Sequence, residues 1–142
     1  MLGDSALGEM TENDISRIIV DSSIDVHKTL GGPGLLEGVY EEALAWELES
    51  RGLLVKRQLE VPIRYKSRLL SSPLRLDMLV NRLVIVEVKA VSTYNRIFEA
   101  QALTYLRLLD LRLAMVINFG DSKVGSGIHR VVNGLDDDWA KK

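Results

Sequence analysis

Two carboxylates and a lysine lie inside the most apolar stretch of this chain, residues 74–90. The stretch consists of two runs rich in leucine, valine and isoleucine, joined by a short polar turn. Such runs are typical of strands buried in the interior of a sheet. The first run contains Asp77, and the second contains Glu87 and Lys89. Burying an isolated carboxylate or ammonium group is costly, so these charges indicate mutual pairing or a site for a divalent cation.

The spacing of these residues sets a condition on the turn between the two strands. Because side chains alternate between the faces of a strand, Glu87 and Lys89 share one face, opposite the neighbouring valines. A two-residue turn at Asn81 and Arg82 would put Asp77 on the wrong face to meet Glu87. The hypothesis therefore requires a three-residue loop or a β-bulge in this hairpin.

The length and composition of the chain predict one domain. With 142 residues, we expect a tail over 1–11, a single domain over 12–133 and a polar tail over 134–142. No apolar run has the length of a membrane span, and the N-terminus lacks the profile of a signal peptide. The absence of cysteine excludes disulfides and thiolate metal sites, and it fits a protein of the reducing cytoplasm.

The charge of the chain is unevenly distributed. Residues 1–50 contain 2 basic and 11 acidic residues, whereas residues 51–130 contain 14 basic and 6 acidic ones. Seven of the basic residues cluster around the predicted site in the sequence: Lys56, Arg57, Arg64, Lys66, Arg68, Arg75 and Arg82. A basic surface beside a metal site favours a phosphate-bearing partner. The alternative is that acidic helices and basic strands neutralise each other in solvated pairs.

Periodicity predicts a mixed α/β fold, of the α+β type, in which helices flank a central sheet. The predicted helices cover about 12–30, 35–51 and 96–110, and the predicted strands cover 53–57, 59–65, 74–80, 83–90, 113–118 and 128–132. Thr11 or Asn13 is expected to cap the first helix. The order is therefore α-α-β-β-β-β-α-β-β, and the crossover helix should connect two parallel strands.

Further polar side chains are expected to join the strand residues. Glu37 and Glu41 lie one helical turn apart, so they share a face and can add a third carboxylate to the site. An oxygen-rich set of ligands suits Mg²⁺ or Mn²⁺ rather than zinc. Gln101 and Tyr105 of the crossover helix are also four residues apart and can point to the same place.

These residues resemble two known patterns. The segment Gly34-Leu-Leu-Glu37-Gly-Val-Tyr40 resembles the motif that names the GxxExxY protein family. Three further elements, in order, are similar to the pattern of the PD-(D/E)XK nuclease superfamily: Arg75-Leu-Asp77, Glu87-Val-Lys89 and Gln101-x-x-x-Tyr105. Leu76 stands where the superfamily name expects a proline. The resemblance covers about residues 15–132 and implies a restriction-endonuclease-like core and a divalent-metal nuclease that acts on nucleic acid, with DNA the expected substrate.

The resemblance also implies roles for individual residues. Asp77 and Glu87 would hold Mg²⁺, or Mn²⁺, with the backbone carbonyl of Val88. Lys89 would orient the attacking water or stabilise charge that develops on the phosphate. The helix carboxylate would be Glu37, as the GxxExxY motif indicates, with Glu41 as the rival candidate. Gln101 and Tyr105 would support the site or contact the nucleic-acid backbone.

Two other interpretations stay open at this stage. The chain can be a nucleic-acid-binding or accessory protein that retains a nuclease-like fold without turnover. It can also be a sheet protein whose charges form a structural cluster without metal affinity. Arg75 is expected to be a counter-charge to Asp77 or Glu87, and the lone His27 and His129 are expected to be packing or surface residues. A homodimer would help so small a domain to embrace a duplex.

Overall fold

The computed structural model describes residues 9–135. The predicted tails, 1–11 and 134–142, therefore lie for the most part outside the described residues. These described residues contain three α-helices: α1 (Glu12–Thr29), α2 (Glu37–Ser50) and α3 (Ile97–Leu109). Each lies within about two residues of its predicted bounds. Within residues 9–135, no helix combines the length and the hydropathy that crossing a bilayer requires.

Five of the seven strands in the described part of the chain form one mixed sheet. The strands are β1 (Val55–Val61), β2 (Arg64–Tyr65), β3 (Arg68–Leu69), β4 (Leu74–Val80), β5 (Val84–Lys89), β6 (Leu113–Asn118) and β7 (Ile128–Val132). Their order in the large sheet is β1-β4-β5-β6-β7, and β2 and β3 form a separate hairpin. The pair β5–β6 is parallel, as predicted for strands joined through α3, and the other pairs are antiparallel.

Both faces of the sheet are covered by helices. On one face, Val84, Val86 and Val88 of β5 belong to a core that contains residues of α1 and α2. On the other face, Ile85 lies in a second core with residues of α3 such as Leu106. This two-sided burial explains the continuous apolar runs of β5 and β6, because a central strand has no solvent face on which to place polar residues. The predicted mixed sheet flanked by helices is therefore confirmed.

The structure differs from the prediction between residues 53 and 69. The two strands predicted for 53–57 and 59–65 form a single strand, β1, and the small β2–β3 hairpin follows it. Gln58 lies where the prediction placed a break, and its φ of 49° is in the left-handed region, which is unusual for a residue other than glycine. The strand continues through this point, because both Arg57 and Leu59 remain paired with β4.

At Gln58 and its neighbour Asp77, the face of the β1–β4 pair that carries the apolar side chains changes, so these side chains pack into one core before this point and into the other core after it. Met78 belongs to the core beneath α1 and α2, whereas Leu76 and Leu59 pack with the core beneath α3. The apolar residues of both strands therefore change faces within two positions. At this change of faces, Asp77 is not paired with Gln58 in the β1–β4 ladder. Its side chain instead contacts β5.

The hairpin β4–β5 has the loop length that the site hypothesis requires. Met78 pairs with Val86 and Val80 pairs with Val84, so residues 81–83 form a three-residue loop. Its first residue, Asn81, accepts a hydrogen bond from the Leu54 N–H through Oδ1 (2.8 Å), which fixes the loop against the start of β1. The register brings Asp77 and Glu87 to facing positions.

Candidate active site

Asp77 and Glu87 are linked reciprocally across β4 and β5. The Asp77 N–H donates to Oε2 of Glu87 (3.0 Å), and the Val88 N–H donates to Oδ2 of Asp77 (2.8 Å). Each carboxylate thus occupies the place of a backbone carbonyl in the ladder, where the two strands diverge. The structure therefore brings these two residues together across neighbouring strands.

The surroundings of Glu87 disfavour its charged form. Burial, which leaves only 9% of the residue exposed, raises the pKa of Glu87 to about 7, and the negative charge of Asp77 acts in the same direction. The N–H of Asp77 and the ammonium of Lys89 oppose this shift. The pKa of Asp77 is also raised, first by burial and then by Glu41, against the stabilising N–H of Val88.

The helix α2 brings two more carboxylates to the same place. Glu41 is only 5% exposed and accepts hydrogen bonds from Nε of Arg57 (3.1 Å) and from Nε2 of Gln58 (3.0 Å to each oxygen). Glu37 lies one turn earlier, at the start of α2. Burial raises the pKa of Glu37, with further contributions from Asp77 and Glu41. The face of α2 that carries Glu37 and Glu41 therefore meets the sheet where Asp77 lies, as predicted.

The start of α2 is fixed by the tyrosine of the Gly34–Tyr40 segment. Tyr40 is fully buried, and its O–H donates to the Gly32 carbonyl (2.7 Å) and accepts from the Leu35 N–H (3.1 Å). The turn itself needs glycine, since Gly32 has a φ of 93°. Tyr40 thus anchors the turn that leads into α2, and it holds Glu37 in its position over the sheet.

Lys89 ends β5 on the same side as Glu87. Its ammonium lowers the pKa of three carboxyl groups, those of Glu37, Asp77 and Glu87. Its Nζ also lies 4.6 Å from the ring centroid of Phe98, which is a cation–π distance. The ammonium therefore stands beside the carboxylates in the place that the sequence predicted.

Tyr105 reaches the cluster from α3, whereas Gln101 does not. Burial raises the pKa of Tyr105, and the charges of Glu87 and Asp77 raise it further, which places its hydroxyl group within electrostatic range of both. Gln101 is exposed one turn earlier on the helix. Within residues 9–135, the structure records no hydrogen bond between Gln101 and the carboxylates.

The prediction for Arg75 is wrong. Its guanidinium pairs with Glu60 on β1, and both side chains are exposed, so it does not serve as the counter-charge to Asp77 or Glu87. The positive partner of the site from β1 is Arg57, through Glu41. Arg75 of β4 lies directly opposite Glu60 of β1 in the ladder, and this pairing directs its guanidinium to β1 rather than to the site.

Sequence reasoning also missed Gln58 and Asn118. Gln58 bonds to Glu41, and its side chain also lowers the pKa of Asp77 by hydrogen bonding, so it bridges α2 and β4. Its only sequence signal was the break it made between two apolar segments. Asn118 is fully buried at the end of β6, where Oδ1 accepts from the Val91 N–H (2.9 Å) and Nδ2 donates to the Val91 carbonyl (3.0 Å). It holds the chain that leaves β5 just after Lys89.

The donor set fits a divalent cation. Four carboxylates converge here from α2, β4 and β5, and hard oxygen ligands of this kind suit Mg²⁺ and Mn²⁺. A cation would offset the mutual repulsion that raises the pKa of Glu37, Asp77 and Glu87. Within residues 9–135, no three acidic, histidine or cysteine side chains already surround one point at ligand distance. The carboxylates do not surround one point because protein N–H groups hold Asp77, Glu87 and Glu41 in other directions.

A mixed sheet flanked by helices, with two carboxylates and a lysine where its strands diverge, defines a restriction-endonuclease-like protein. In agreement with this class, the family model described as the PD-(D/E)XK nuclease superfamily matches residues 13–131. The chain therefore belongs to the PD-(D/E)XK nuclease superfamily. None of the curated proteins and none of the solved structures matches the chain. The resemblance of Gly34–Tyr40 to the GxxExxY motif stays a prediction.

Proposed function

We propose that this protein is a nuclease that hydrolyses phosphodiester bonds of DNA with Mg²⁺ or Mn²⁺. The observation that carries the proposal is the reciprocal pair of Asp77 and Glu87, with Lys89 beside it. A cluster that served only the fold would have little reason to hold a carboxyl group whose pKa is near 7. Membership of the nuclease superfamily supports the same conclusion.

In this proposal Asp77 and Glu87 hold the ion, together with the backbone carbonyl of Val88 and a carboxylate from α2. The bound metal ion would activate a water molecule and stabilise the oxygen that leaves phosphorus. The residues themselves fix the geometry, because the N–H groups of Asp77 and Val88 orient the two carboxylates. Burial excludes bulk water from around Glu87 and strengthens its interaction with a cation.

Lys89 is proposed to orient the attacking water and to stabilise negative charge on the phosphate. The cation–π contact with the ring of Phe98 helps to hold its ammonium in place. Tyr105 supports the same site from α3, and the exposed Gln101 is proposed to contact the nucleic-acid backbone.

Glu37 is proposed as the carboxylate of α2 that reaches the metal ion. Glu41 already receives hydrogen bonds from Arg57 and Gln58 on both oxygens, and moving it would leave these donors without their partner. Glu37 forms no hydrogen bond or ion pair within residues 9–135, so its side chain is free to turn toward an ion. Glu41 is then a positioning residue that ties β1 to α2, or a second ligand if its partners give way.

One observation favours a second function, a nucleic-acid-binding or accessory protein without turnover. Protein N–H groups satisfy Asp77 and Glu87 without any ion. In that case the carboxylate cluster would stabilise the fold, and the nucleic acid would bind elsewhere on the basic surface. Cleavage of nucleic acid separates the two functions.

The proposed activity is tested with supercoiled plasmid and end-labelled oligonucleotides in Mg²⁺ or Mn²⁺. We expect cleavage by the wild type, and a loss of about 100-fold or more in Lys89→Ala and in Asp77→Asn. Lys123→Ala is the matched control, because Lys123 is an exposed lysine that precedes the 3-10 turn at Val124–Gly127, outside the carboxylate cluster, and it should cleave at the wild-type rate. Equal cleavage by all four proteins would indicate a contaminating nuclease and contradict the proposal.

A further inference from the structure

The β2–β3 hairpin is a small basic ribbon. Arg64 and Arg68 lie in its strands, and Lys66 lies in the turn with a φ of 56°. All three side chains are exposed. Within residues 9–135, none of the three is in an ion pair, in contrast to Arg57 and Arg75, which pair with glutamates. The hairpin therefore presents cations that the rest of the described chain does not neutralise.

The register of the hairpin places these cations on different sides. Arg64 pairs with Leu69, and Tyr65 pairs with Arg68, so Arg64 and Arg68 point to opposite faces of the ribbon. Lys66 stands at the tip. A flat partner would meet cations on one face only. A ribbon with positive charge on both faces and at its tip is complementary to a groove that has phosphates along both walls.

The hairpin is tied to the strands that carry the site. The Leu70 N–H donates to the Ile63 carbonyl (2.9 Å). At the base of the hairpin, the end of β1 pairs with the start of β4 through Val61 and Leu74. Leu74 is three residues from Asp77, which corresponds to about 10 Å of strand. The five residues from Val61 to Lys66 add at most about 17 Å. The step across the ladder from Leu74 to Val61 adds about 5 Å. Both the tip and the site can therefore reach one duplex, about nine base pairs apart at most.

We propose that the β2–β3 hairpin enters the major groove of duplex DNA and holds the duplex for the site at Asp77. This inference rests on the proposed function for the role of the site, whereas the binding itself does not need cleavage. The major groove of B-DNA is wide enough to admit a two-stranded ribbon. The deep, narrow major groove of A-form RNA is not, so the hairpin selects DNA over double-stranded RNA.

The test measures binding of a fluorescent 24-base-pair DNA duplex in EDTA, where metal-dependent cleavage cannot occur. Wild type is compared with the triple variant Arg64→Gln, Lys66→Gln and Arg68→Gln over a series of salt concentrations. The matched control is the triple variant Arg17→Gln, Lys28→Gln and Lys123→Gln, which removes three exposed cations outside the hairpin. The hairpin variant should lower the slope of log K against log salt by about 2 to 3, since each phosphate contact contributes about 0.9. The control should change it by less than about 1.

Two further measurements test the groove. Wild type should protect guanine N7, which faces the major groove, from methylation, and the hairpin variant should lose this protection. Single-stranded DNA and double-stranded RNA of equal length should lose less affinity in the hairpin variant than duplex DNA does. Single variants at Arg64, Lys66 and Arg68 provide the same comparison if the triple variant melts below the wild type.

An unchanged salt slope in the hairpin variants would overturn the inference, and so would an equal or larger loss with single-stranded DNA or with double-stranded RNA. Single-strand preference would indicate stacking on Tyr65, which is 59% exposed, rather than insertion into a groove. These results are distinguishable from failure of the proposed function. A protein that binds duplex DNA through the hairpin but never cleaves it keeps this inference and loses the other.

Discussion

The side chain of Glu87 lies in surroundings that favour its protonated form. Because its pKa in the folded protein is about 7, above the ordinary value of 4.5, the folded protein binds this proton more tightly than the unfolded chain does. The stability that Glu87 contributes through this proton is complete below about pH 4.5 and is lost as the pH rises through about 7. Asp77 and Glu37, whose pKa values are also raised, act in the same direction.

We therefore predict that Glu87→Gln removes part of the pH dependence of stability. The free energy of unfolding of the variant, relative to the wild type, should increase between pH 4.5 and pH 7 by up to roughly 3 kcal/mol. Urea denaturation at several pH values in EDTA measures this difference. Glu49→Gln, at an exposed glutamate near the end of α2, serves as the control and should stay parallel to the wild type. A constant difference for Glu87→Gln across this range would show that Glu87 titrates normally.

Glu37 and Glu41 are expected to respond differently to substitution. Glu37→Gln should weaken binding of Mn²⁺ by about 10-fold or more, with little change in stability, because Glu37 has no hydrogen-bond partner within residues 9–135. Glu41→Gln should instead lower stability by about 1 to 3 kcal/mol, because it weakens the buried contacts with Arg57 and Gln58. Metal titration and thermal unfolding of both variants separate the two effects. The reverse pattern would make Glu41 the ligand.

The order of helices and strands around the site was largely predictable. The three helices, the β4–β5 hairpin, β6 and β7 follow from apolar periodicity. The spacing of Asp77 and Glu87 required either a three-residue loop or a β-bulge in the hairpin, and the structure has the three-residue loop. The continuity of β1 was not predictable, since it depends on a left-handed Gln58 that only the pairing with β4 and the bonds to Glu41 support. Such tertiary support has no local sequence signal.

The same contrast applies to the site residues. Asp77, Glu87 and Lys89 stood out because charges are rare in buried strands. Asn118 did not stand out, because one asparagine at the end of a strand resembles an ordinary turn residue. Its role depends on a hydrogen bond with Val91, which lies 27 residues away in the chain, so the role is evident only in the folded structure.

The connection between β6 and the segment after β5 leaves no space for a side chain at Gly120. A Cβ atom there would lie 2.2 Å from the Val91 carbonyl oxygen. We predict that Gly120→Ala lowers stability by about 1 to 3 kcal/mol and reduces any activity, because Val91 must shift and moves the end of β5 with it. Gly125→Ala is the matched control, since a Cβ atom there meets nothing within 4 Å, and it should change stability by less than about 0.5 kcal/mol. Equal melting temperatures of the two variants would contradict this packing.

At the scale of the molecule, the buried apolar side chains of residues 9–135 form two cores, one on each face of the five-stranded sheet. Leu44 of α2 is fully buried in one core, and Leu106 of α3 is fully buried in the other. Because β4, β5 and β6 contribute to both cores, neither can unfold alone without exposing the back of the sheet. The site lies where these layers meet, which is why its geometry depends on the entire domain.

We predict that Leu44→Ala and Leu106→Ala each lower stability by about 2 to 5 kcal/mol and that each variant unfolds in a single transition. Leu108→Ala, at an exposed position of α3, should have a small effect. Urea denaturation followed by far-UV circular dichroism and by tryptophan fluorescence tests this. Two separate transitions in either core variant would mean that the faces fold independently. Dimerisation of the molecule stays a prediction, which sedimentation analysis can examine.

The proposed function depends on the binding of one divalent cation by Asp77 and Glu87 together. Calorimetric titration of Mn²⁺ into the wild type, Asp77→Asn and Glu49→Gln tests it most directly. We expect one binding event in the wild type that is lost in Asp77→Asn and retained in Glu49→Gln. A wild type that binds no Mn²⁺, or an Asp77→Asn variant that binds it equally well, would contradict it.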